Sequence, residues 1–168
     1  KTSKITKKEK ATKAKRESIK HSKKLPTITI IHTGGTIASE VDYDTGAVVA
    51  RFTPEELLSM FPELKQICNI KSYLLGNMFS EDMRFAHYNL LAKAIKKEAD
   101  RGSEGIIITH GTDTMAYTAA ALSFALEGLN IPVILVGAQR SSDRGSSDAF
   151  MNLLCACHYI KNSNFCDV

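Results

Sequence analysis

Two short stretches combine hydroxyls, glycines and a carboxylate in a pattern that could do chemistry. The first is Thr33-Gly34-Gly35-Thr36-Ile37-Ala38 and the second is His110-Gly111-Thr112-Asp113-Thr114. Each follows a β-branched run, Thr27 to His32 in one case and Glu104 to Thr109 in the other. A threonine hydroxyl held at a strand end can attack a carbonyl once a neighbouring group takes its proton. Glycines beside it let the backbone turn sharply and approach a ligand without Cβ clashes. Asp113 adds a carboxylate able to hold a substrate ammonium or to orient a base. Backbone N–H groups at the start of the Ala-rich run after the second turn favour an anion or a developing oxyanion. Two such turns at parallel strand ends would form a site for nucleophilic acyl transfer. Each part also has a plainer explanation. The first turn could be structural, with two solvent-facing threonines, and Asp113 and Thr114 could simply N-cap the following helix.

The elements that must carry these turns follow from periodicity. Thr27–His32 and Glu104–Thr109 read as buried strands, and Ile131–Val136 reads as a third, of the continuous apolar kind found in parallel sheets. Ile67–Leu75 is a candidate strand. Ala116–Leu126 is an Ala-rich helix. Phe85–Ala99 is a helix with Leu90, Leu91, Ala94 and Ile95 at helical spacing and a solvated face of Lys93, Lys96 and Lys97. Thr53-Pro54-Glu55-Glu56 signals the start of a short helix reaching Met60. Between strand and helix, Gly76 to Met83 forms a loop in which Ser80-Glu81-Asp82 has the composition of an N-cap. A long polar loop, Gly137 to Asp148, precedes a helix that begins near Ala149. Within it, Arg140 and Arg144 are expected to pair with Asp143 and Asp148 rather than with the site. Asp167-Val168 has the look of the first step of a further strand. Alternating strands and helices predict an α/β fold, a doubly wound, mostly parallel sheet with right-handed crossovers.

With these residues in view, the chain resembles the L-asparaginase family, whose two signature motifs look like Thr33–Ala38 and His110–Thr114. The resemblance runs from Thr27 to the end. Val41–Val48 and Val136–Arg144 most resemble the D-subunit branch, found in archaeal glutamyl-tRNA(Gln) amidotransferase. The resemblance implies a fold of the asparaginase N-terminal-domain type, incomplete at its C-terminal side. It implies Thr36 as nucleophile, Thr112 as second catalytic threonine, and Asp113 as the group that binds the substrate ammonium. Ser80 and Glu81 correspond to the pair that holds the substrate's α-carboxylate and α-ammonium, although many members carry Gln at the second position. Tyr43, on a flap with a turn at Asp44-Thr45-Gly46, corresponds to a tyrosine that approaches the nucleophile; read alone, it could equally be a surface tyrosine. Gly35 and Gly111 would present oxyanion-binding N–H groups. The family's catalytic lysine has no counterpart in this sequence and is expected beyond Val168, so the 168 residues alone are expected to be inactive or nearly so. The resemblance also implies glutamine or asparagine as substrate and the E subunit of the amidotransferase as partner, with ATP and magnesium at that partner. It implies a homodimer formed through a C-terminal part outside this sequence.

Composition sets the remaining bounds. Residues 1–24 hold eleven Lys/Arg and two Glu, a net of +9, whereas residues 25–168 hold eleven basic and sixteen acidic residues, a net of −5. The overall +4 therefore describes neither part. The first segment has too few large apolar residues for a core and reads as a disordered basic linker. A sharper alternative makes it an arm for tRNA phosphates. Residues 25–168 make up the α/β domain. The four cysteines, Cys68, Cys155, Cys157 and Cys166, lack zinc-ligand spacing. Cys155 and Cys157 are expected to be buried or half-buried thiols in a helix, in a reduced cytoplasmic setting. No apolar run reaches the roughly 18–20 residues needed to span a bilayer. There is no Walker motif, no dinucleotide fingerprint and no Cys/His cluster, so no cofactor or metal is expected in this chain. His32, His87, His110 and His158 read as structural, with His110 nearest the chemistry.

Three functions stay open on the sequence. The first is an amidohydrolase subunit, glutaminase or asparaginase, that supplies ammonia for converting Glu-tRNA(Gln) to Gln-tRNA(Gln). The second is a free-standing cytoplasmic L-asparaginase. The third is a nucleic-acid-binding module driven by the basic segment.

Overall fold

A computed structural model describes residues 22–34, 39–41, 48–50, 58, 60–140 and 145–168. Four strands form one parallel sheet: β1 (Thr27–His32), β4 (Asn69–Leu74), β5 (Gly105–Thr109) and β6 (Val133–Val136), in the order β4-β1-β5-β6. Two short strands, β2 (Ser39–Val41) and β3 (Val48–Ala50), pair antiparallel as a separate hairpin. Helices α1 (Phe85–Asp100), α2 (Met115–Ala125) and α3 (Ala149–Asn162) follow β4, β5 and β6 in turn. The expected doubly wound α/β architecture is thus present, and its element boundaries fall within a few residues of those the periodicity predicts.

Strand alternation explains why helices cover both faces. Ile28, Ile30 and Ile107 point into one layer with Leu153, Ala156, Cys157 and Ile160 of α3. Ile31, Ile106 and Ile108 point the other way, against Leu91 and Ile95 of α1 and Leu122 of α2. All six isoleucines are fully buried, and each contributes roughly 1.5–3 kcal/mol by leaving water. On α1 the buried stripe is Leu91, Ala94, Ile95 and Glu98. Leu90, expected in that stripe, is instead 55% exposed, because the covered arc is centred one residue further round the helix. Lys96 lies on the solvated face and pairs with Asp100 at 3.1 Å.

Several local expectations are revised. A 3-10 turn at Pro62–Gln66, which apolar periodicity does not signal, buries Leu64 ahead of β4. Ser80–Asp82 is a 3-10 turn, and the N-cap of α1 is Arg84, not Ser80. Cys155 is exposed while Cys157 is buried, because neighbours two apart on a helix face different ways. Arg140 meets Asp148 through its backbone N–H at 3.1 Å, alongside the N–H of Gln139. The loop is therefore closed by main-chain donors and not by an ion pair between those two residues. Arg144 and Asp143, Thr53 to Glu56, and residues 1–21 lie outside the described residues. Ser22 exchanges hydrogen bonds with the Asn69 side chain at 2.8 Å, so residues 22–24 reach the root of β4. Val133 donates its N–H to the carbonyl of Asp167 at 2.8 Å, the beginning of a further rung beside β6. Among the described residues no helix is long and apolar enough to cross a membrane.

Candidate active site

The strand order places the chemistry. From β1 the chain crosses to β4 on one side and then to β5 on the other. The gap beyond the carboxyl ends of β1 and β5 is therefore the switch point, where open α/β sheets bind ligands. Both glycine turns leave the sheet there. His32 is paired with Thr109 at the last register position, and Thr33 donates to the Thr109 carbonyl through both its N–H (3.2 Å) and its Oγ1 (2.8 Å). The two turns thus begin at one level on adjacent strands.

Gly34 shows why the first turn needs glycine. Its φ is +112°, and a Cβ there would lie against the Met78 carbonyl and 2.7 Å from the Met78 nitrogen. Met78 in turn donates its N–H to the Thr33 carbonyl at 3.1 Å, so the loop after β4 packs directly on the turn after β1. Thr36, Gly35 and Tyr43 lie outside the described residues.

The same loop reaches the second turn. Ser80 is buried, and its Oγ donates to Asp113 Oδ2 at 3.3 Å. Thr114 Oγ1 donates to the Ser80 carbonyl at 2.7 Å. A Cβ on Gly111 would lie 2.8 Å from Ser80 Cβ and 2.9 Å from its Oγ, so only glycine leaves room for Ser80. Neither Asp113 nor Thr114 caps α2: Thr114 occupies the N-cap position without a side-chain cap bond, and its hydroxyl is spent on Ser80. Helix capping therefore does not account for these two side chains. Thr112 packs toward Gly137 at the end of β6 and borders an apolar cleft of about 860 Å³ that runs down the outer edge of that strand. The cleft floor is Val133–Val136 and its walls come from α2 and α3, so it belongs to the sheet edge more than to the turns. Glu81 is exposed and contributes its carbonyl to the Arg84 guanidinium at 2.6 Å.

Two buried imidazoles underlie the turns. His32 Nδ1 lies 2.8 Å from Thr109 Oγ1, and Nε2 lies 2.8 Å from Ser72 Oγ. Burial pushes its pKa down to about 3, so the ring is neutral at ordinary pH. His110 Nδ1 is 2.7 Å from the Gly111 carbonyl and Nε2 is 2.9 Å from Thr118 Oγ1. A carbonyl can only accept, which assigns the proton to Nδ1 and leaves Nε2 to accept from Thr118. Burial also lowers the pKa of His110, partly opposed by the Gly111 carbonyl. Among the described residues no group of three or more His, Cys, Asp or Glu side chains could hold a metal ion.

Reading residues one by one missed these cross-links. Ser80 is far from Asp113 in sequence, and nothing local marks it as a partner. One His, one Thr and one Gly occur in both His32-Thr33-Gly34 and Thr109-His110-Gly111, in different order, and this shared composition was the available signal that both turns have polar support underneath.

Residues 27–168 match the family model described as asparaginase, N-terminal. The chain belongs to the asparaginase family. Among curated relatives it is 62% identical over 134 residues to the D subunit of glutamyl-tRNA(Gln) amidotransferase from Pyrococcus furiosus, covering 80% of this chain and 31% of that one. It is 50% identical over 137 residues to the D subunit from Methanosarcina barkeri, covering 82% and 32%. The chain thus spans about a third of the length of these relatives. Among solved structures it is similar to L-asparaginase I from Vibrio cholerae, with TM-score 0.74, 36% identity, and 86% of this chain against 43% of that one. It is also similar to the thermostable L-asparaginase from Thermococcus kodakarensis, with TM-score 0.73, 31% identity, and 83% against 42%. The resemblance carried by the two turn motifs is borne out, and so is the special likeness to the D-subunit branch.

Proposed function

We propose that this chain carries the amide-hydrolysing half-site of an amidotransferase, releasing ammonia from glutamine or asparagine for conversion of Glu-tRNA(Gln) to Gln-tRNA(Gln). One observation carries the reading. The turn holding Thr112 and Asp113 and the turn leading to Thr36 spring from adjacent parallel strands at the switch point, locked at one level by Thr33 and Thr109. In this reading the Thr36 hydroxyl attacks the side-chain carboxamide, and Thr112 is the second threonine of the reaction. Asp113, held by Ser80, receives the substrate ammonium, and Ser80 and Glu81 frame the substrate's α-groups. Tyr43 closes over the nucleophile. Backbone N–H groups around Gly35 and Gly111 meet the developing oxyanion, an interaction that supplies about 3–4 kcal/mol where it has been removed in other enzymes. The partner is the E subunit of the amidotransferase, which carries ATP and magnesium. Residues 1–24 form a basic joint within reach of tRNA, and the site is completed in a homodimer. The high identity to D subunits supports this reading over a free-standing asparaginase.

The test uses the full-length protein. Ammonia release from glutamine and asparagine is measured with and without the E subunit and charged tRNA. Thr36→Ala is expected to lower turnover by on the order of 10⁴-fold or more. Unchanged turnover in that variant overturns the reading. Hydrolysis of asparagine that ignores both tRNA and the E subunit supports a free-standing L-asparaginase. The third reading, a nucleic-acid-binding module, wins if deleting residues 1–24 abolishes every activity while Thr36→Ala abolishes none.

A further inference from the structure

We propose that His110 is a positioning residue whose ring fixes the direction of the Thr112 backbone N–H toward the reacting carbonyl. The proposal rests on the amidase reading above. His110 is 1% exposed. Its Nδ1–H donates to the carbonyl of the next residue, Gly111, at 2.7 Å. The peptide joining Gly111 to Thr112 is planar and trans, so its N–H points opposite to its C=O. Holding the Gly111 carbonyl on the imidazole therefore turns the Thr112 N–H away from the ring and the core.

The ring itself cannot swing. Thr118, fully buried on α2, donates to Nε2 at 2.9 Å. The His110 backbone N–H is bound to the Val136 carbonyl at 2.9 Å, tying the same residue to β6. A flip of the Gly111–Thr112 peptide would leave a buried Nδ1–H without its acceptor, a state that folded proteins avoid. At the far end of the turn, Thr114 Oγ1 is anchored on the Ser80 carbonyl. His110 and Thr114 are the two fixed ends, and the two residues that meet substrate, Thr112 and Asp113, lie between them. A donor already aimed where charge develops costs no reorganisation during the reaction.

The test compares three variants of the full-length protein. The side-chain amide of Asn places a donor where Nδ1 stands, so His110→Asn keeps the bond to Gly111. The longer Gln places its amide near Nε2, so His110→Gln serves Thr118 and abandons Gly111. His110→Leu abandons both. The Gln and Leu variants are expected to lose on the order of 100-fold in kcat, as when one oxyanion donor is lost. Their KM should stay within about threefold of wild type, the signature of an interaction made in the transition state. His110→Asn should recover most of kcat. Equal kcat in Asn and Gln variants of matched melting temperature overturns the proposal. A second readout does not depend on turnover: ¹⁵N spectra of the wild-type imidazoles should show an Nδ1–H tautomer for His110, and an Nε2–H tautomer overturns the proposal. A wild-type protein that releases no ammonia fails the amidase reading instead, and the spectrum still decides whether the ring holds the turn.

Discussion

The Ser80 hydroxyl donates to the Asp113 carboxylate across 3.3 Å, joining the loop after β4 to the turn after β5. Asp113 is exposed and Ser80 is buried, so the bond fixes a solvent-facing acid from its protected side. In the amidase reading proposed above, this is the carboxylate that receives the substrate ammonium.

Removing that hydroxyl should affect binding more than folding. Ser80→Ala is expected to cost no more than about 1.5 kcal/mol of stability, as for a single hydrogen bond. It should raise KM for the amide substrate roughly tenfold in the full-length enzyme, equal to about 1.4 kcal/mol of lost binding. Steady-state kinetics beside a thermal melt separates the two, and an unchanged KM would remove Ser80 from the site.

Glycine at 111 is required by contact with Ser80. Gly111→Ala would put a methyl 2.8 Å from Ser80 Cβ. The expected penalty is about 1–3 kcal/mol from overpacking, together with a larger loss of activity than Ser80→Ala causes. A urea midpoint equal to wild type would show that the two segments part without cost.

Gly34→Ala is expected to be worse. The substitution meets backbone atoms of Met78, which cannot rotate away, and forces a positive φ of 112° on a residue with a Cβ. Left-handed backbone costs about 1–2 kcal/mol and the collision about 1–3 kcal/mol more. Denaturant unfolding reads the sum, and a loss below about 1 kcal/mol would contradict the packing described.

Acid should unfold the protein through His32. Its folded pKa is about 3, below the ordinary value of 6.5, so the unfolded chain binds more protons between these values. Stability is therefore complete above about pH 6.5 and falls as pH drops toward 3, by up to about 1.4 kcal/mol per pH unit from this residue. His110 is shifted in the same direction by burial and adds to the slope. Urea midpoints of wild type and His32→Gln between pH 4 and 7 check this, and equal slopes would reject it.

The buried thiols should report opening of the fold. Cys68 and Cys157 are buried in one core layer, with the Cys68 thiol donating to the Leu64 carbonyl at 3.9 Å, while Cys155 and Cys166 are exposed. The neighbouring Cys68 thiol and burial both raise the Cys157 pKa, so this thiol stays protonated and inert. A thiol reagent is expected to modify Cys155 and Cys166 promptly and the other two only with denaturant, as read by mass spectrometry. Rapid modification of all four in buffer would refute it.

The strands, the helices and the two turns were legible because each is written in a continuous run of residues. The isoleucine strands announce a buried sheet, and glycine beside threonine announces the turns. Partnerships across the fold were not legible. Ser80 has the local chemistry of a cap, and only the strand order reveals that it faces Asp113. Thr114 also suited a cap until Ser80 supplied a better acceptor. Leu90 fitted the apolar period of α1, yet a period gives the width of a stripe and not where α2 and the sheet come to rest on it. His110 could be placed near the chemistry from its position, but its partner Thr118, one helix away, could not be read from the local run.

The bond between His32 and Thr109 at the last paired rung of β1 and β5 has an evolutionary corollary. Sliding either strand by one residue would separate two polar side chains in a dry interior, so the sheet resists mis-indexing at that rung. The spacing between the roots of the two turns is thus inherited from the framework and not from the loops. Descendants of such a scaffold are free to lengthen or reword the segments beyond the strands without losing that alignment.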